Sequence, residues 1–268
     1  MPDVKKIRLI VADMDGTLLD DEKKLDTDIV QVIEKLRTRD IQFTLASGRN
    51  IHIMKPYLEQ LPIDLPFITN NGANIFSKDG CIYEKSMESR ELEVAFQVLE
   101  NHQIPFIAYS NEAVFTIEER ESIQFFLNRL RGKTPIRIAE SSVILKESIF
   151  KVVMVNEDEK EMQDIMKHIN SHCVNLQCVR SEDSIYTITH IDATKGKTME
   201  RLLEQLGIRK EEVMVFGDNF NDGTMFEVAG IAVAMENGQE EVKKNADYIA
   251  ASNNKNGVSA FLKKMYRI

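Results

Sequence analysis

The sequence predicts an α/β protein in which an open parallel sheet, with helices on its faces, is split by an inserted α+β module. Three observations carry this expectation. Short apolar runs alternate with segments of helical spacing from Ile7 onward, the rhythm breaks at Asp79-Gly80, and it resumes after Lys195.

In chain order, Ile7 to Asp13 reads as a buried strand, and Asp26 to Arg39 places Ile29, Val32, Ile33 and Leu36 on one helical face. Ile41 to Ala46 is a second strand, Asn50 to Gln60 a helix, and Pro66 to Thr69 a third strand of the same sheet, entering Asn70-Asn71-Gly72. Asp79-Gly80 between apolar pairs signals a hairpin. Beyond it come a helix over Glu88 to Asn101, two short strands within Pro105 to Thr116, and a helix through Phe125 and Leu130. A strand at Ile149 to Val155, a helix at Glu157 to Asn170 and strands at Val174 to Val179 and Ser184 to Thr189 follow. Neighbouring strands of this kind predict antiparallel pairing. The first pattern then returns as helix Lys197 to Leu206, strand Glu212 to Phe216, helix Phe220 to Ala229, strand Ile231 to Ala234 and a helical stretch at Val258 to Tyr266. The expected division is a core of residues 1–83 and 191–268 interrupted by an insert of residues 84–190.

A chain of 268 residues with 43% hydrophobic content has ample material for buried cores. Its 34 basic and 43 acidic residues give a net charge of -9, with no run of Lys and Arg dense enough to track a nucleic-acid backbone. An anionic substrate must therefore be attracted locally. Cys81, Cys173 and Cys178 are too few and odd in number for a disulfide framework, so they read as free thiols in a reducing compartment. The N-terminal apolar stretch is broken by Arg8 and ends at Asp13, too short for a signal or a membrane span. The expectation is a soluble, cytoplasmic protein with no nucleic acid, membrane or protein partner implied.

Ligands of open parallel sheets bind outside the carboxyl ends of the strands. The first strand ends in Asp13-Met14-Asp15-Gly16-Thr17. In an extended chain, side chains two apart point the same way, so the two carboxylates are expected to face one volume and share a divalent cation. The second strand ends in Ser47-Gly48-Arg49 before a helix, where a hydroxyl and backbone N–H groups suit a phosphate oxygen. Gly217-Asp218-Asn219-Phe220-Asn221-Asp222 brings further carboxylates and an amide to the same edge, and Lys195 supplies a compact positive charge.

These motifs, in this order, resemble the haloacid dehalogenase superfamily of phosphatases. Asn70-Asn71-Gly72-Ala73, the insert between the second and third motifs, and the late stretches Ala232 to Met235, Ala246-Asp247-Tyr248 and Asn256-Gly257-Val258 make the chain similar to the Cof-type branch with a C2-type α+β cap. The resemblance implies a Rossmann-like parallel sheet core and a Mg2+-dependent phosphohydrolase that acts on a small phosphorylated metabolite, a sugar phosphate or phosphorylated cofactor. It implies that Asp13 attacks phosphorus and that Asp15 is the general acid and base, which asks for a higher pKa than its neighbour's. Ser47 and Lys195 would hold the phosphoryl oxygens, the backbone at Met14 and Gly48 would add N–H contacts, and Asn221 would lie near the phosphate. Magnesium would be bound by Asp13, the backbone carbonyl of Asp15 and Asp218, with Asp222 in support.

Other readings are open to the same residues. A phosphomutase would use Asp13 but return the phosphoryl group to substrate, whereas a phosphoacceptor signalling module gains nothing from an acid/base placed at Asp15. Arg49 either lines the site or pairs with an acid. Glu236 stands where the branch commonly has glycine, and its charge would disfavour very anionic substrates. Thr194-Lys195-Gly196-Lys197-Thr198 mimics the end of a P-loop, but the first glycine of that pattern would fall at Ile191. His168, His172, Cys173 and Cys178 have a zinc-like flavour, yet strand alternation puts Cys178 with Val174 and Leu176 on an apolar face and Cys173 on the other. Within the insert, Lys151, Arg180, Tyr186 and His190 are the candidates for choosing substrate.

Overall fold

The computed structural model describes residues 6–268. The beginning of the N-terminal stretch read above, residues 1–5, lies outside the described residues. Strand β1 (Leu9–Ala12) is buried at every position, as expected of a central strand covered on both faces. Helix α1 (Ile29–Arg37) turns Ile29, Val32, Ile33 and Leu36 into the core, the face its spacing predicts. β2 (Gln42–Leu45) follows, then α2 (Ile51–Leu58), whose first turn is capped by Asn50 accepting from the Ile53 N–H at 3.0 Å. β3 (Phe67–Thr69), β4 (Asn74–Ser77) and β5 (Gly80–Glu84) form an antiparallel meander. The third apolar run is thus not a full member of the parallel sheet. It meets the parallel sheet through a single parallel bridge, Ala46 with Ile68, just beyond the end of β2, while its other edge pairs with β4.

The middle of the chain supplies α3 (Ser89–Asn101), β6 (Phe106–Tyr109), β7 (Val114–Thr116), α4 (Glu121–Leu130), β8 (Ile136–Ile138), α5 (Ser141–Ile144), β9 (Lys151–Val155), α6 (Glu159–His172), β10 (Leu176–Glu182) and β11 (Ile185–His190). The last part supplies α7 (Lys195–Leu206), β12 (Val213–Gly217), α8 (Phe220–Phe226), β13 (Ile231–Met235), α9 (Glu240–Lys244), β14 (Tyr248–Ala250) and α10 (Gly257–Tyr266).

The chain forms two compact units, one of the described residues up to Glu84 together with Thr194–Ile268, the other of Lys85–Ala193. In the first, a parallel sheet runs in the order β14-β13-β12-β1-β2. One face packs Ile10, Ala12, Phe43, Met214 and Phe216 against α1 and α10; the other packs Leu9, Val11, Val213 and Val215 against α7 and α8. In the second unit the sheet order is β10-β11-β9-β6-β7-β8, antiparallel except where β7 meets β8. Its core joins Leu92, Phe96 and Leu99 of α3 and Met162, Ile165 and Ile169 of α6 to the inward residues of the strands. Phe96 stacks on Phe106 with ring centroids 4.6 Å apart.

Two expectations for this second unit are corrected. Val174 does not share the apolar face of Cys178 and Leu176: it is 81% exposed, because the strand begins only at Leu176 and the alternation does not reach back to it. Cys173 is buried, its thiol against the Glu91 carbonyl, so both cysteines are core residues. Tyr186 is likewise core. It shares its sheet face with Met154, Cys178 and Ile188, which removes it from the residues available to a substrate.

Candidate active site

The site grows from the order of the strands. β1 is flanked by β2 and β12, and Ala12 lies opposite Phe216, so Asp13 and Gly217-Asp218 leave adjacent strands side by side. Asp13 is buried, its N–H bonded to the Phe216 carbonyl at 3.0 Å. Lys195, at the start of α7, projects its ammonium between two acids, 2.5 Å from Asp13 Oδ1 and 2.6 Å from Asp222 Oδ1. The second oxygen of Asp222 accepts the N–H groups of Asp218 and Asn219 at 2.9 and 3.0 Å. Asp222 therefore both caps α8 and fixes Lys195. Thr17 donates to Asp218 Oδ1 at 2.8 Å, tying the loop after β1 to the loop after β12. Gly16 makes this approach possible. It sits at φ +76°, and a Cβ there would come 2.4 Å from Asp218 Oδ2.

Asp13, Asp218 and Asp222 each offer an oxygen within 4.8 Å of the others, the only such group of three potential ligands among the described residues. His168 and His172 stack on each other instead, with ring centroids 4.1 Å apart. Three carboxylates against one lysine leave two negative charges in excess. Burial raises the Asp13 pKa above the usual carboxylate range, Lys195 opposes the shift, and Asp222 and Asp218 add to it. Asp218 is pushed up to about 6, by burial first and by Asp222 next. A hard divalent cation matches this donor set, since it takes oxygen ligands and cancels the two excess charges.

The structure departs from the expectation that Asp13 and Asp15 face one volume. β1 ends at Ala12 and the Met14 carbonyl accepts the N–H groups of Leu18 and Leu19, so the chain is already turning and strand alternation no longer applies. Asp15 instead meets Arg49, which donates from Nε to Oδ2 at 2.6 Å and from Nη2 to Oδ1 at 2.7 Å. Lys23 Nζ adds a contact of 2.9 Å to Oδ1. Burial pushes the Asp15 pKa up, but Arg49 and Lys23 outweigh it and hold the group at about 2. The expected order of the two acids is thus reversed: burial dominates at Asp13, whose one cation is shared with other carboxylates, whereas at Asp15 two cations of its own outweigh burial.

The remaining predicted residues fall around these two clusters. Ser47 is fully buried, its hydroxyl accepting the Arg49 N–H at 3.2 Å. A Cβ on Gly48 would come 2.6 Å from Asn71 Oδ1, an atom that also accepts from Asn221 Nδ2 at 2.9 Å. Asn71 adopts φ +57° to reach between them. The Met14 side chain is core, leaving only its backbone for a ligand. Glu236 is held by Lys255 at 3.1 Å and by the Ser252 N–H at 3.2 Å. Lys23 and Tyr57 are members of the site that the motifs did not indicate. Tyr57 lies under Arg49, ring centroid 5.1 Å from Cζ, and its hydroxyl donates to the Lys23 carbonyl at 3.0 Å. In the second unit, His190 is buried and accepts the Asp192 N–H at 3.0 Å, Arg180 pairs with Glu159 and Asp183, each at 2.9 Å, and the Lys151 ammonium lies 4.6 Å from the centre of the Tyr109 ring.

Comparison with known proteins gives a consistent picture. The family model of the haloacid dehalogenase-like hydrolases matches residues 10–262. A putative phosphatase of Haemophilus influenzae is 28% identical over 97% of this chain and 98% of its own length. A pyridoxal phosphate phosphatase of Escherichia coli is 26% identical over 95% of this chain and 97% of its own length. Among solved structures, a haloacid dehalogenase-like hydrolase from Bacteroides thetaiotaomicron superposes with a TM-score of 0.84 at 25% identity, covering 97% of this chain and 99% of the other.

Proposed function

Since this chain belongs to the haloacid dehalogenase-like hydrolases and is a phosphoric monoester hydrolase, we propose that it uses Asp13 as nucleophile, with Mg2+ as its metal, on a small phosphorylated metabolite. The observation that carries the reading is the placement of Lys195 between Asp13 and Asp222 beside Asp218, a buried acid cluster with two uncancelled charges at the carboxyl edge of a parallel sheet. Asp13, the backbone carbonyl of Asp15 and Asp218 would hold the magnesium, with Asp222 fixing their geometry through its two N–H bonds and Lys195. When bound, the ion supplies positive charge to the phosphoryl oxygens and the cluster.

In this reading an Asp13 oxygen bonds to phosphorus as the ester P–O bond breaks, and Asp15 delivers a proton to the leaving oxygen. Asp15 then takes a proton from water as the water oxygen bonds to phosphorus, and the bond from phosphorus to Asp13 breaks to give inorganic phosphate. Lys195 and Ser47 hold phosphoryl oxygens, the backbone at Met14 and Gly48 adds N–H contacts, and Asn221 orients the phosphate edge. Asp15 enters this cycle only when its contacts with Arg49 and Lys23 loosen, so substrate must rearrange that trio. The unit of Lys85–Ala193 takes the role of a specificity cap, with Lys151, Arg180 and His190 as its polar candidates. The relative that acts on pyridoxal phosphate supports a phosphorylated cofactor or a substrate of similar size.

The test is phosphate release from 4-nitrophenyl phosphate. Excess chelator abolishes it, magnesium restores it, and Asp13→Asn lowers kcat by about 10⁴-fold or more while the protein stays folded. Rapid acid quench with phosphorus-32 substrate should place label on the Asp13 peptide of Asp15→Asn protein. Full activity in chelator refutes the metal, and turnover in Asp13→Asn refutes the nucleophile.

A further inference from the structure

Lys23 stands on a hairpin in which Leu19 pairs with Leu25. The turn is closed by the Asp20 N–H to the Lys24 carbonyl at 2.9 Å and the Lys23 N–H to the Asp20 carbonyl at 3.0 Å. Lys23 takes φ +63°, the left-handed conformation that follows the type I turn in a three-residue hairpin loop. The Tyr57 hydroxyl donates to its carbonyl and anchors the loop. The neighbouring charges on the hairpin have other partners: Lys24 pairs with Glu22, and Asp21 accepts from Asn253 and Asn254. The turn fixes where the Lys23 side chain leaves the hairpin, and its ammonium reaches Asp15 Oδ1 at 2.9 Å.

That side chain is surplus to the neutralisation of Asp15. Arg49 already engages both Asp15 oxygens, and its side chain is 11% exposed against 44% for Lys23. Arg49 and Lys23 against Asp15 leave one positive charge in excess, opposite in sign to the excess in the cluster of Asp13, Asp218 and Asp222. No metal balances this charge, since cations do not bind cations. It lies beside the carboxylate that handles the leaving oxygen, and therefore on the leaving-group side of the phosphoryl group.

We propose that Lys23 is a specificity-determining residue that selects phosphate esters whose leaving group carries a second anionic oxyacid group, a carboxylate or another phosphate. The proposal rests on the phosphatase reading above. The ammonium transfers from Asp15 Oδ1 to the substrate anion, removing one of the two cations that hold Asp15, so recognition of the correct leaving group also loosens the acid that must serve it.

The experiment compares kcat/KM for 3-carboxyphenyl phosphate and its neutral isostere 3-carbamoylphenyl phosphate, in magnesium at pH 7.5 and at low and high salt. A parallel comparison of resorcinol bisphosphate with resorcinol monophosphate separates a phosphate preference from a carboxylate preference. The wild-type protein should favour the anionic member of at least one pair by about fivefold at low salt, the scale of a partly exposed ion pair, and by less at high salt. Lys23→Met should abolish the ratio, Lys23→Glu invert it and Lys23→Arg retain it. A purely structural lysine would change kcat for all four esters together and leave the ratios in place. Ratios near one in the wild type, or a ratio unchanged in Lys23→Met, overturn the proposal alone. Release of phosphate from none of the esters overturns the phosphatase reading, and this proposal with it.

Discussion

The two units bury charge in opposite ways. In the first, Lys195 is enclosed by Asp13 and Asp222, and Asp222 is further satisfied by two backbone N–H groups. In the second, the Lys151 ammonium faces the ring of Tyr109, and burial alone holds its pKa down at about 8. Burial acts on His190 in the same direction, with Lys85 adding to it and Asp192, Glu91 and Glu88 opposing. The first arrangement surrounds its lysine with carboxylates, so each member depends on the others and burial pushes Asp13 and Asp218 toward their protonated forms; the second tolerates a lone group by weakening its charge. The first unit should therefore fail when a partner is removed, and the second when apolar volume is removed.

The strongest way to break this comparison is Lys195→Met. It leaves three carboxylates without their shared cation and should cost about 3–5 kcal/mol, together with nearly all turnover. Magnesium should recover a larger part of that loss than it adds to the wild-type protein, as read from urea midpoints with and without chelator. An unchanged midpoint in chelator would show that mutual pairing does not support the first unit. Phe96→Ala is the counterpart in the second unit, where loss of the ring stacked on Phe106 should cost about 3–5 kcal/mol. Amide exchange should accelerate in β6 and β9, while magnesium still protects β1 and β12. Loss of the magnesium response would mean that the two units do not fail separately.

A finer distinction lies in pH. In chelator, Asp218 has its pKa raised from 3.8 to about 6, so the folded state holds more protons across that interval and stability falls as pH rises through it. Lys151 has its pKa lowered from 10.5 to about 8, so the folded state holds fewer protons between those values and stability rises with pH there. Each effect should be about 3 kcal/mol. Exchange of β12 amides should quicken from pH 4 to 6 after correction for intrinsic rates, and exchange of β9 amides should slow from pH 8 to 10. The same sign in both windows would contradict the contrast.

Most long elements were legible in the sequence because apolar periodicity has room to show itself over eight or more residues, as in α1, α3, α6 and α7. What the pattern did not indicate was short: β8 and β14 have three residues each, α5 four and α9 five, less than two turns of helix or two repeats of a strand. In the candidate site, Asp13 and the segment carrying Asp218 and Asp222 come together at the strand ends where the sequence placed them, with Lys195 from the start of a helix between Asp13 and Asp222. Asp15 does not join them, since it lies three residues past the end of β1, where the chain already turns and strand alternation stops. Lys23 was invisible for another reason. A lone lysine in a charged turn carries no motif, and its contact with Asp15, the Tyr57 hydroxyl on its carbonyl and the φ of +63°, which distinguish it from its neighbours, are all properties of the folded chain.

The division of the chain also bears on the order in which the protein is made. Lys85–Ala193 is one unbroken stretch, whereas the other unit is discontinuous, and Lys195 meets Asp13 across 182 residues. On the ribosome the second unit is complete before any residue of β12 has been joined to the chain. Until then β1 lacks its neighbour on one side, and Asp13 is a carboxylate at the end of an unpaired sheet edge. The nascent polypeptide thus carries a finished insert before the residues that complete the acid cluster around Asp13 have joined the sheet.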